Sequence, residues 1–233
     1  MGLFHSPSVL TQNLVLYLDA GNYNSYPGTG TTWNDLSGLR YNATMFGAVP
    51  FVTDVAQCFN FASATGPASW GSTLGFTFAS NMIPQTGNFT LSCWIKNPNS
   101  ASGQVGLFSN AGSADGYRFG VGLNGIYFLI GPTYTEGGIP FLSPLSSSLW
   151  YNVVAVYRRS TASVLLYLNG VFQNSASIPA SQTTFSNATP GIVRSPCCGI
   201  YTGKLAIFTA HSRALTETEI SNNFTALKGR FGY

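Results

Sequence analysis

Short apolar runs, rich in β-branched and aromatic residues and separated by polar turns, make up most of this chain. The clearest unit is Leu149–Gln173. It has one apolar run over Val153–Tyr157, a polar turn, and a second run over Val164–Leu168 that ends in Asn169-Gly170. Asn-Gly is typical of a type I′ turn, in which both central residues take positive φ. The pattern predicts an antiparallel hairpin and then a tight turn into a third, short strand over Val171-Phe172.

The same kind of pattern predicts strands along the rest of the chain, so we expect an all-β protein with antiparallel pairing. Two stretches are predicted to be mostly loop: Gly131–Ser148, which contains three prolines, and Ser175–Cys198. The other predicted strands are Leu14–Leu18, Ala43–Phe46, Cys58–Phe61, Phe76–Phe78, Phe89–Lys96, Val105–Ser109, Tyr117–Leu123, Ile126–Ile130 and Gly203–Thr209.

One helix is predicted, near the end of the sequence. Thr216–Glu219 has the spacing of a capping box, in which the hydroxyl and the carboxylate each cap a backbone amide. Ile220, Phe224 and Leu227 then fall on one helical face. Gly229 is predicted to take the position just past the helix end.

The length of 233 residues suits one large β domain, and we predict an arm over Met1–Gln12 and a single domain over 13–233. No apolar run approaches the 18 or so residues of a membrane-spanning helix. The first residues lack the basic and small-residue features of a secretory signal. We therefore expect a protein that folds in the cytoplasm.

Charged side chains are unusually rare, at 7% of the residues, whereas about 25% is typical. The net charge is +3, and the largest basic cluster is Arg158-Arg159. Nucleic-acid partners are excluded because they require a basic stripe, and the attraction to an anionic membrane is equally weak. A weakly charged surface favours association with other protein surfaces.

The four cysteines are Cys58, Cys93, Cys197 and Cys198, and none forms a C-x-x-C pair. With two histidines in the chain, a zinc site is not expected. Cys93 alternates with apolar strand residues and is predicted to be a buried thiol. We expect free thiols, and a disulfide from the Cys197-Cys198 loop remains the alternative.

Four segments together resemble the laminin-G-like, concanavalin A-like jelly-roll domains. Phe89–Lys96 resembles the central strand of that family, Leu149–Gln173 its hairpin, Gly203–Phe208 its closing strand, and Arg213–Ile220 the start of its last helix. The resemblance implies a two-sheet antiparallel jelly-roll sandwich with a short C-terminal helix. It names a fold and leaves the ligand open.

The two ends of the chain resemble jelly-roll proteins of tailed-phage virions. The similar segments are Leu14–Asn22, Ser25–Gly38 and Leu227–Tyr233. The resemblance implies a non-enzymatic structural protein of a bacteriophage, acting as head decoration, fibre or tail component. Its partners would be other virion proteins and copies of itself, with a trimer as the first expectation. The alternative is a lectin-like module that binds a glycan of the host surface.

Catalytic chemistry has little support in the sequence. Glycoside hydrolases with this fold need two carboxylates close together. Among the seven acids, Glu217 and Glu219 alone are two residues apart, and their place at the helix start predicts capping instead. We therefore expect no enzyme activity and no cofactor.

Calcium is kept as an alternative, because many laminin-G-like domains bind it through aspartates and loop carbonyls. Asp19, Asp54 and Asp115 are the candidates, although Asp19 is predicted to stabilise the turn at Gly21.

Glycan or partner binding would use loop aromatics together with nearby polar groups. The candidate residues are Tyr23, Tyr26, Trp70, Tyr134 and Glu136. The competing interpretation is that these rings pack on the sandwich or on a neighbouring subunit. Trp94 and Trp150 are strand residues and are predicted to be core.

Overall fold

A computed structural model of the chain describes residues 8–65, 73–96, 104–110, 116–122, 125–130, 145–178, 188–193 and 200–233. Two antiparallel sheets face each other across an apolar core, and one α-helix, α1 (Glu217–Leu227), packs outside one of them. The fold is the predicted all-β sandwich with a short C-terminal helix. Within these residues no helix has the length and apolar character needed to cross a membrane.

The strands are short, and their bounds in chain order are β1 (Leu14–Asp19), β2 (Thr32–Trp33), β3 (Ala43–Phe46), β4 (Phe51–Thr53), β5 (Gln57–Asn60), β6 (Gly75–Phe78), β7 (Phe89–Lys96), β8 (Gln104–Ser109), β9 (Tyr117–Gly122), β10 (Gly125–Ile130), β11 (Trp150–Arg158), β12 (Ser163–Leu168), β13 (Val171–Ser177), β14 (Gly191–Ile192) and β15 (Lys204–His211).

Sheet A contains eight strands in the order β13-β12-β11-β7-β15-β5-β4, and β1 also pairs with β15. Sheet B contains seven strands in the order β10-β9-β8-β14-β6-β3-β2. Every pair of neighbours is antiparallel. Strands distant in sequence therefore become neighbours, as in the jelly roll that the sequence resembles.

The alternation of apolar and polar residues predicts the long strands well. The bounds of β3 and β7 are those expected, and Asn169 and Gly170 both have positive φ, 51° and 79°, as a type I′ turn requires. Strand β13 extends to Ser177, beyond the predicted Val171-Phe172. The sequence pattern missed β2, β4 and β14, because two or three residues are too few to show an alternation.

The main core lies between the sheets and is rich in aromatic rings. The Phe59 ring makes edge contacts with Trp33 and Phe76, with 4.7 and 4.8 Å between ring centroids. Cys93 is buried in this core as a free thiol, as predicted, and Cys58 is also a buried free thiol. Cys197 and Cys198 lie outside the described residues.

The outer face of sheet A is buried by the helix and the chain end. Trp94 and Trp150 are buried, as predicted, but they lie on this outer face and not between the sheets. They pack against Phe231 in the 3-10 turn that follows α1. The burial of the two tryptophans could be inferred from the sequence. That the helix and the chain end cover them could not.

The helix begins as predicted and ends differently. The Thr216 hydroxyl accepts from the Glu219 amide, and the Glu219 carboxylate accepts from the Thr216 amide. Gly229 follows the C-cap residue Lys228, as predicted, but the chain continues through it as a 3-10 turn over Lys228–Phe231, and Gly232 is the glycine that takes positive φ. The stacking of Phe231 under the sheet holds this extra turn in place.

Candidate functional site

The five residues predicted for glycan or partner contact have different positions. Tyr23 is 78% exposed on the loop after β1. Tyr26, on the same loop, is 5% exposed. Trp70, Tyr134 and Glu136 lie outside the described residues.

Tyr26 belongs to the core of the sandwich. Its ring packs against Phe51 and Phe59, with centroid distances of 5.0 and 4.8 Å, and its hydroxyl donates to the Gly30 carbonyl. Since both the ring and the hydroxyl have partners inside the protein, Tyr26 supports the loop and offers no face to a ligand. The interpretation of packing on the sandwich holds for this residue.

Asp19 and Asp54, two of the aspartates considered for calcium, have protein partners. Asp19 makes a two-pronged ion pair with Arg230, at 2.6 and 2.9 Å, and accepts from the Gly21 amide, which is the predicted turn contact. Asp54 accepts from the ammonium groups of Lys204 and Lys96. Asp115 lies outside the described residues, and the described part of the chain contains no group of three or more metal-binding side chains.

The two glutamates at the start of α1 stabilise the helix. Glu219 completes the capping box and receives two hydrogen bonds from Arg213, at 2.7 and 2.8 Å, and these lower its pKa to about 2. Glu217 is exposed in the first turn, where a negative charge complements the helix dipole. The capping role predicted for this pair is the one the structure shows.

The outer face of sheet B carries a row of paired residues that no single sequence segment reveals. Strand pairing places seven outward-facing residues side by side, one from each strand. Directly paired residues point to the same face, with Cβ atoms about 5 Å apart. From β2 to β10 the row is Thr32, Thr44, Thr77, Gly191, Ser109, Arg118 and Leu129.

The two ends of this row differ in exposure. Thr32 and Thr44 are exposed and Thr77 is half-buried, and these three threonines are called here the hydroxyl row. At the other end, Ser109 and Arg118 are buried, at 4% and 1% exposed. The β2, β3 and β6 side is therefore the open half of the face.

An aromatic ring lies beside the hydroxyl row. Phe46, two residues after Thr44 on β3, is half-buried and lies over Gly75 of the next strand. A Cβ on Gly75 would approach the Phe46 ring to 2.6 Å, so a residue larger than glycine would displace the ring from its position over the strand. The open half thus combines one half-buried aromatic ring with three threonine side chains.

A similar pair occurs on the buried half. The Tyr127 ring lies over Gly120, where a Cβ would approach the ring and its hydroxyl to 2.6 Å. Burial raises the pKa of Tyr127, so the hydroxyl stays protonated. That hydroxyl is buried and has no hydrogen-bond partner among the described residues.

This arrangement can bind a neutral ligand that carries many hydroxyl groups. The hydroxyls of Thr32 and Thr44 can each donate one hydrogen bond and accept others, and that of Thr77, which donates to the Thr44 carbonyl, can accept. An aromatic ring provides an apolar contact. Strands β2, β3 and β6 contain no charged residue. The sequence could not reveal the site, because its threonines come from three strands whose register is set by tertiary packing.

The family is visible in the comparison with known domains. The Laminin_G_3 family model, described as concanavalin A-like lectin/glucanases superfamily, matches residues 71–221, which is more than half of the chain. The chain belongs to this superfamily. The concanavalin A-like domain predicted from Phe89–Lys96 and Leu149–Gln173 is therefore confirmed.

Solved structures with the same fold include two kinds of domain. One is domain 4 of AbnA, an extracellular arabinanase from Geobacillus stearothermophilus, in complex with arabinotriose. It is 13% identical, with a TM-score of 0.69, and the match covers 91% of this concanavalin A-like chain and 98% of the other. At this identity the similarity shows the fold alone.

The binding domains of clostridial toxins are the second kind. The binding domain of botulinum neurotoxin DC, in complex with SialylT, is 16% identical, with a TM-score of 0.68 and 93% of this chain covered. That of Paraclostridial Mosquitocidal Protein 1 is 18% identical, with a TM-score of 0.68 and 91% of this chain covered. The chain spans 52% of each of these longer domains. No curated protein matches the chain.

Proposed function

We propose that this domain binds a neutral glycan on the open half of the outer face of sheet B. The observation that carries the proposal is the alignment of Thr32, Thr44 and Thr77 next to the half-buried ring of Phe46. Neighbouring strands lie about 4.8 Å apart, so the three hydroxyls span roughly 10 Å. A short oligosaccharide offers hydroxyl groups over a comparable length.

The absence of charge in β2, β3 and β6 favours a neutral sugar. A ring such as Phe46 contacts the apolar face of a sugar, while hydroxyls fix its orientation. Domain 4 of AbnA, which has the same fold and was solved in complex with arabinotriose, supports a neutral glycan as the ligand. The toxin domain in complex with SialylT supports glycan binding more broadly, although this chain matches about half of it.

The test is a calorimetric titration of the purified protein with arabinotriose, which measures the dissociation constant. Thr44→Val and Thr77→Val remove a hydroxyl and keep a β-branched side chain. Each lost hydrogen bond contributes about 1 kcal/mol, so each variant is expected to bind about fivefold more weakly. Phe46→Ala removes the ring and is expected to weaken binding further.

The matched control is Thr53→Val, which changes an exposed strand threonine of sheet A. It should leave the affinity unchanged. Equal weakening by Thr53→Val and Thr44→Val would overturn the assignment of the face. A glycan array that detects no binding to any neutral oligosaccharide would overturn the function itself.

The virion role, the location in a virion and the lack of enzyme activity stay predictions of the sequence. The toxin and arabinanase domains named above are not virion proteins. The two roles are compatible, because a virion surface protein can carry a glycan-binding face. Finding the protein in purified phage particles would decide the location.

A further inference from the structure

Residues 8–12, the described part of the predicted arm, lie outside sheet A just before β1. We call them the strap. The chain turns where the strap meets β1: the Leu14 amide donates to the Thr11 carbonyl, and Asn13 has a positive φ of 57°. The Asn13 carbonyl accepts from the amide of Ser212, which follows β15, so the base of the strap is fixed to the sheet.

A single residue holds the rest of the strap to the sandwich. Leu10 packs on an apolar cluster outside sheet A that includes Val156, Leu215 and Ile220. Its amide donates to the side-chain oxygen of Asn223 in α1, at 2.8 Å. Within the described part of the chain, no other strap residue has a hydrogen bond to a distant segment. The closed position of the strap therefore depends on Leu10.

The second backbone group of Leu10 is bound by a histidine. The Nε2 atom of His211, the last residue of β15, lies 3.0 Å from the Leu10 carbonyl oxygen. A carbonyl oxygen can only accept, so Nε2 carries the proton and Nδ1 of the neutral ring carries a lone pair. Nδ1 is buried and has no hydrogen-bond partner among the described residues. A second proton on the ring would have to go to this atom.

That second proton is disfavoured while the strap is closed. His211 is 1% exposed, so the protonated ring would hold a positive charge and an unpaired N–H away from water. Burial lowers the pKa of His211 below its usual value of 6.5, although the hydrogen bond to the Leu10 carbonyl acts in the opposite direction. The closed strap therefore favours the neutral ring.

The other groups around the ring keep their charge at mildly acidic pH. Arg213 disfavours a positive charge on His211 and Glu219 favours it. These two are ion-paired with each other, and the pKa of Glu219 is about 2, so both stay ionised. Thr90 on β7 and Leu14 on β1, which pair with His211, carry no charge. His211 is therefore the group of this region that titrates.

We propose that protonation of His211 opens the strap, so that residues 8–12 leave the outer face of sheet A at mildly acidic pH. An open strap exposes the ring to water, where an imidazole takes up a proton near a pH of about 6.5. Closure is therefore favoured in full above that pH and weakens as the pH falls below it. For one proton, the ratio of closed to open strap falls by up to about tenfold per pH unit.

The switch is independent of the proposed glycan site. The strap lies outside sheet A, whereas the hydroxyl row lies on sheet B. Opening removes Leu10 from the apolar cluster of sheet A and leaves the strands of sheet B unchanged. The affinity for arabinotriose is therefore expected to be the same with the strap open or closed.

The experiment measures hydrogen exchange of the full chain by NMR between about pH 5 and pH 8. Rates are expressed as protection factors, because the chemical exchange rate itself changes with pH. Protection of the Leu10 amide is expected to be constant above about pH 7 and to fall by up to about tenfold per pH unit below about 6.5. Amides of β7 should stay more strongly protected than Leu10 at every pH, because the sheet remains folded when the strap opens.

Two variants separate the titrating group from the rest of the strap. His211→Gln keeps a side-chain N–H that can donate to the Leu10 carbonyl and takes up no proton in this range, so its Leu10 protection should not change with pH. Leu10→Ala reduces the apolar contact and keeps His211. Its residue-10 amide is expected to be about tenfold less protected at every pH, with the pH dependence of the wild type.

The matched control is His5→Gln, which removes the other histidine of the chain. This variant should keep the pH dependence of the wild type, and its loss would overturn the assignment to His211. Leu10 protection that is constant between pH 5 and pH 7 would overturn the proposal. Equal protection of the Leu10 and β7 amides would also overturn it, because the strap would then open only when the whole protein unfolds.

The imidazole signals of the wild type give a further measurement that needs no variant. The His211 ring is expected to titrate with a midpoint below 6.5, and a midpoint at or above that value would contradict the switch. Thermal unfolding at neutral pH checks that each variant is folded.

Discussion

The ring of Phe231 lies flat on the indole of Trp94, with 3.9 Å between their centroids and 8° between their planes. Trp94 belongs to β7, which pairs with β11 and β15 inside sheet A. Phe231 also contacts Trp150, with 5.1 Å between centroids. The 3-10 turn after α1 is therefore part of the folded core and not an appendage.

Replacing the Phe231 ring should strongly destabilise the protein. Phe231→Ala leaves a cavity over two buried tryptophans, and such truncations cost about 3–5 kcal/mol. Urea unfolding followed by tryptophan fluorescence measures the loss. Tyr233→Phe removes two hydrogen bonds and keeps the ring, so its cost should be nearer to about 2 kcal/mol. Equal losses in the two variants would contradict a role for the stack.

Arg230 should matter more than the chemically similar Arg213. The partner of Arg230 is Asp19, whose side chain is 3% exposed, whereas the partner of Arg213 is Glu219, at 25%. Arg230→Met leaves a buried carboxylate unpaired, at an expected cost of about 3–5 kcal/mol. Arg213→Met should cost about 1 kcal/mol or less. Urea unfolding of both variants at neutral pH checks the order.

Acid should remove part of the stability. Arg213 lowers the pKa of Glu219 to about 2, and Lys204 and Lys96 lower that of Asp54 to about 2. Because both pKa values are lower in the folded state, the unfolded chain takes up protons first as the pH falls. The contribution of these two carboxylates to the free energy of unfolding is complete above about pH 4.5 and is lost as the pH falls towards about 2.

The matching variants separate this effect from general acid unfolding. Glu219→Gln and Asp54→Asn cannot gain the proton, so the slope of unfolding free energy against pH should become flatter over that range. Urea titrations at several pH values measure the slope. A double variant with the slope of the wild type would contradict the assignment.

Gly170 should be less tolerant of a side chain than Gly38. Both have positive φ, 79° and 90°. A Cβ on Gly38 meets nothing within 4 Å, whereas on Gly170 it would lie 3.1 Å from the Phe224 Cβ. Gly38→Ala should show the conformational cost alone, about 1 kcal/mol. Gly170→Ala should lose more in thermal unfolding, because α1 must also shift.

The thiols of Cys58 and Cys93 should resist alkylation in the native protein. Burial raises the pKa of Cys58 to about 11 and holds that of Cys93 well above its usual value, and the thiolate is the reactive form. Peptide mass spectrometry after iodoacetamide at neutral pH should find both unlabelled. The same treatment in urea should label both, which confirms that the reagent is competent.

The sequence predicts what adjacent residues decide. The alternation in Phe89–Lys96, the Asn169-Gly170 turn and the capping box at Thr216 each depend on a few neighbouring residues, and each is present in the structure. The contact between Asp19 and Gly21 is equally local.

What the sequence could not predict depends on contacts between distant segments. The residues around Tyr26 are those of a polar, glycine-rich loop, which is usually exposed. Tyr26 is nevertheless buried against Phe51 and Phe59. The hydroxyl row exists because β2, β3 and β6 pair in one register. A register is fixed by how the whole sandwich buries its apolar face, so no local pattern encodes it.

The position of β15 has a consequence for synthesis on the ribosome. This late strand lies inside sheet A, with β7 on one side and β5 and β1 on the other. Sheet A therefore cannot be completed until residue 211 has left the ribosome. Until then, the backbone groups of β1, β5 and β7 that pair with β15 have no partner strand. A nascent chain in this state is open to aggregation. We expect its yield in cells to depend on chaperones that shield the unfinished half.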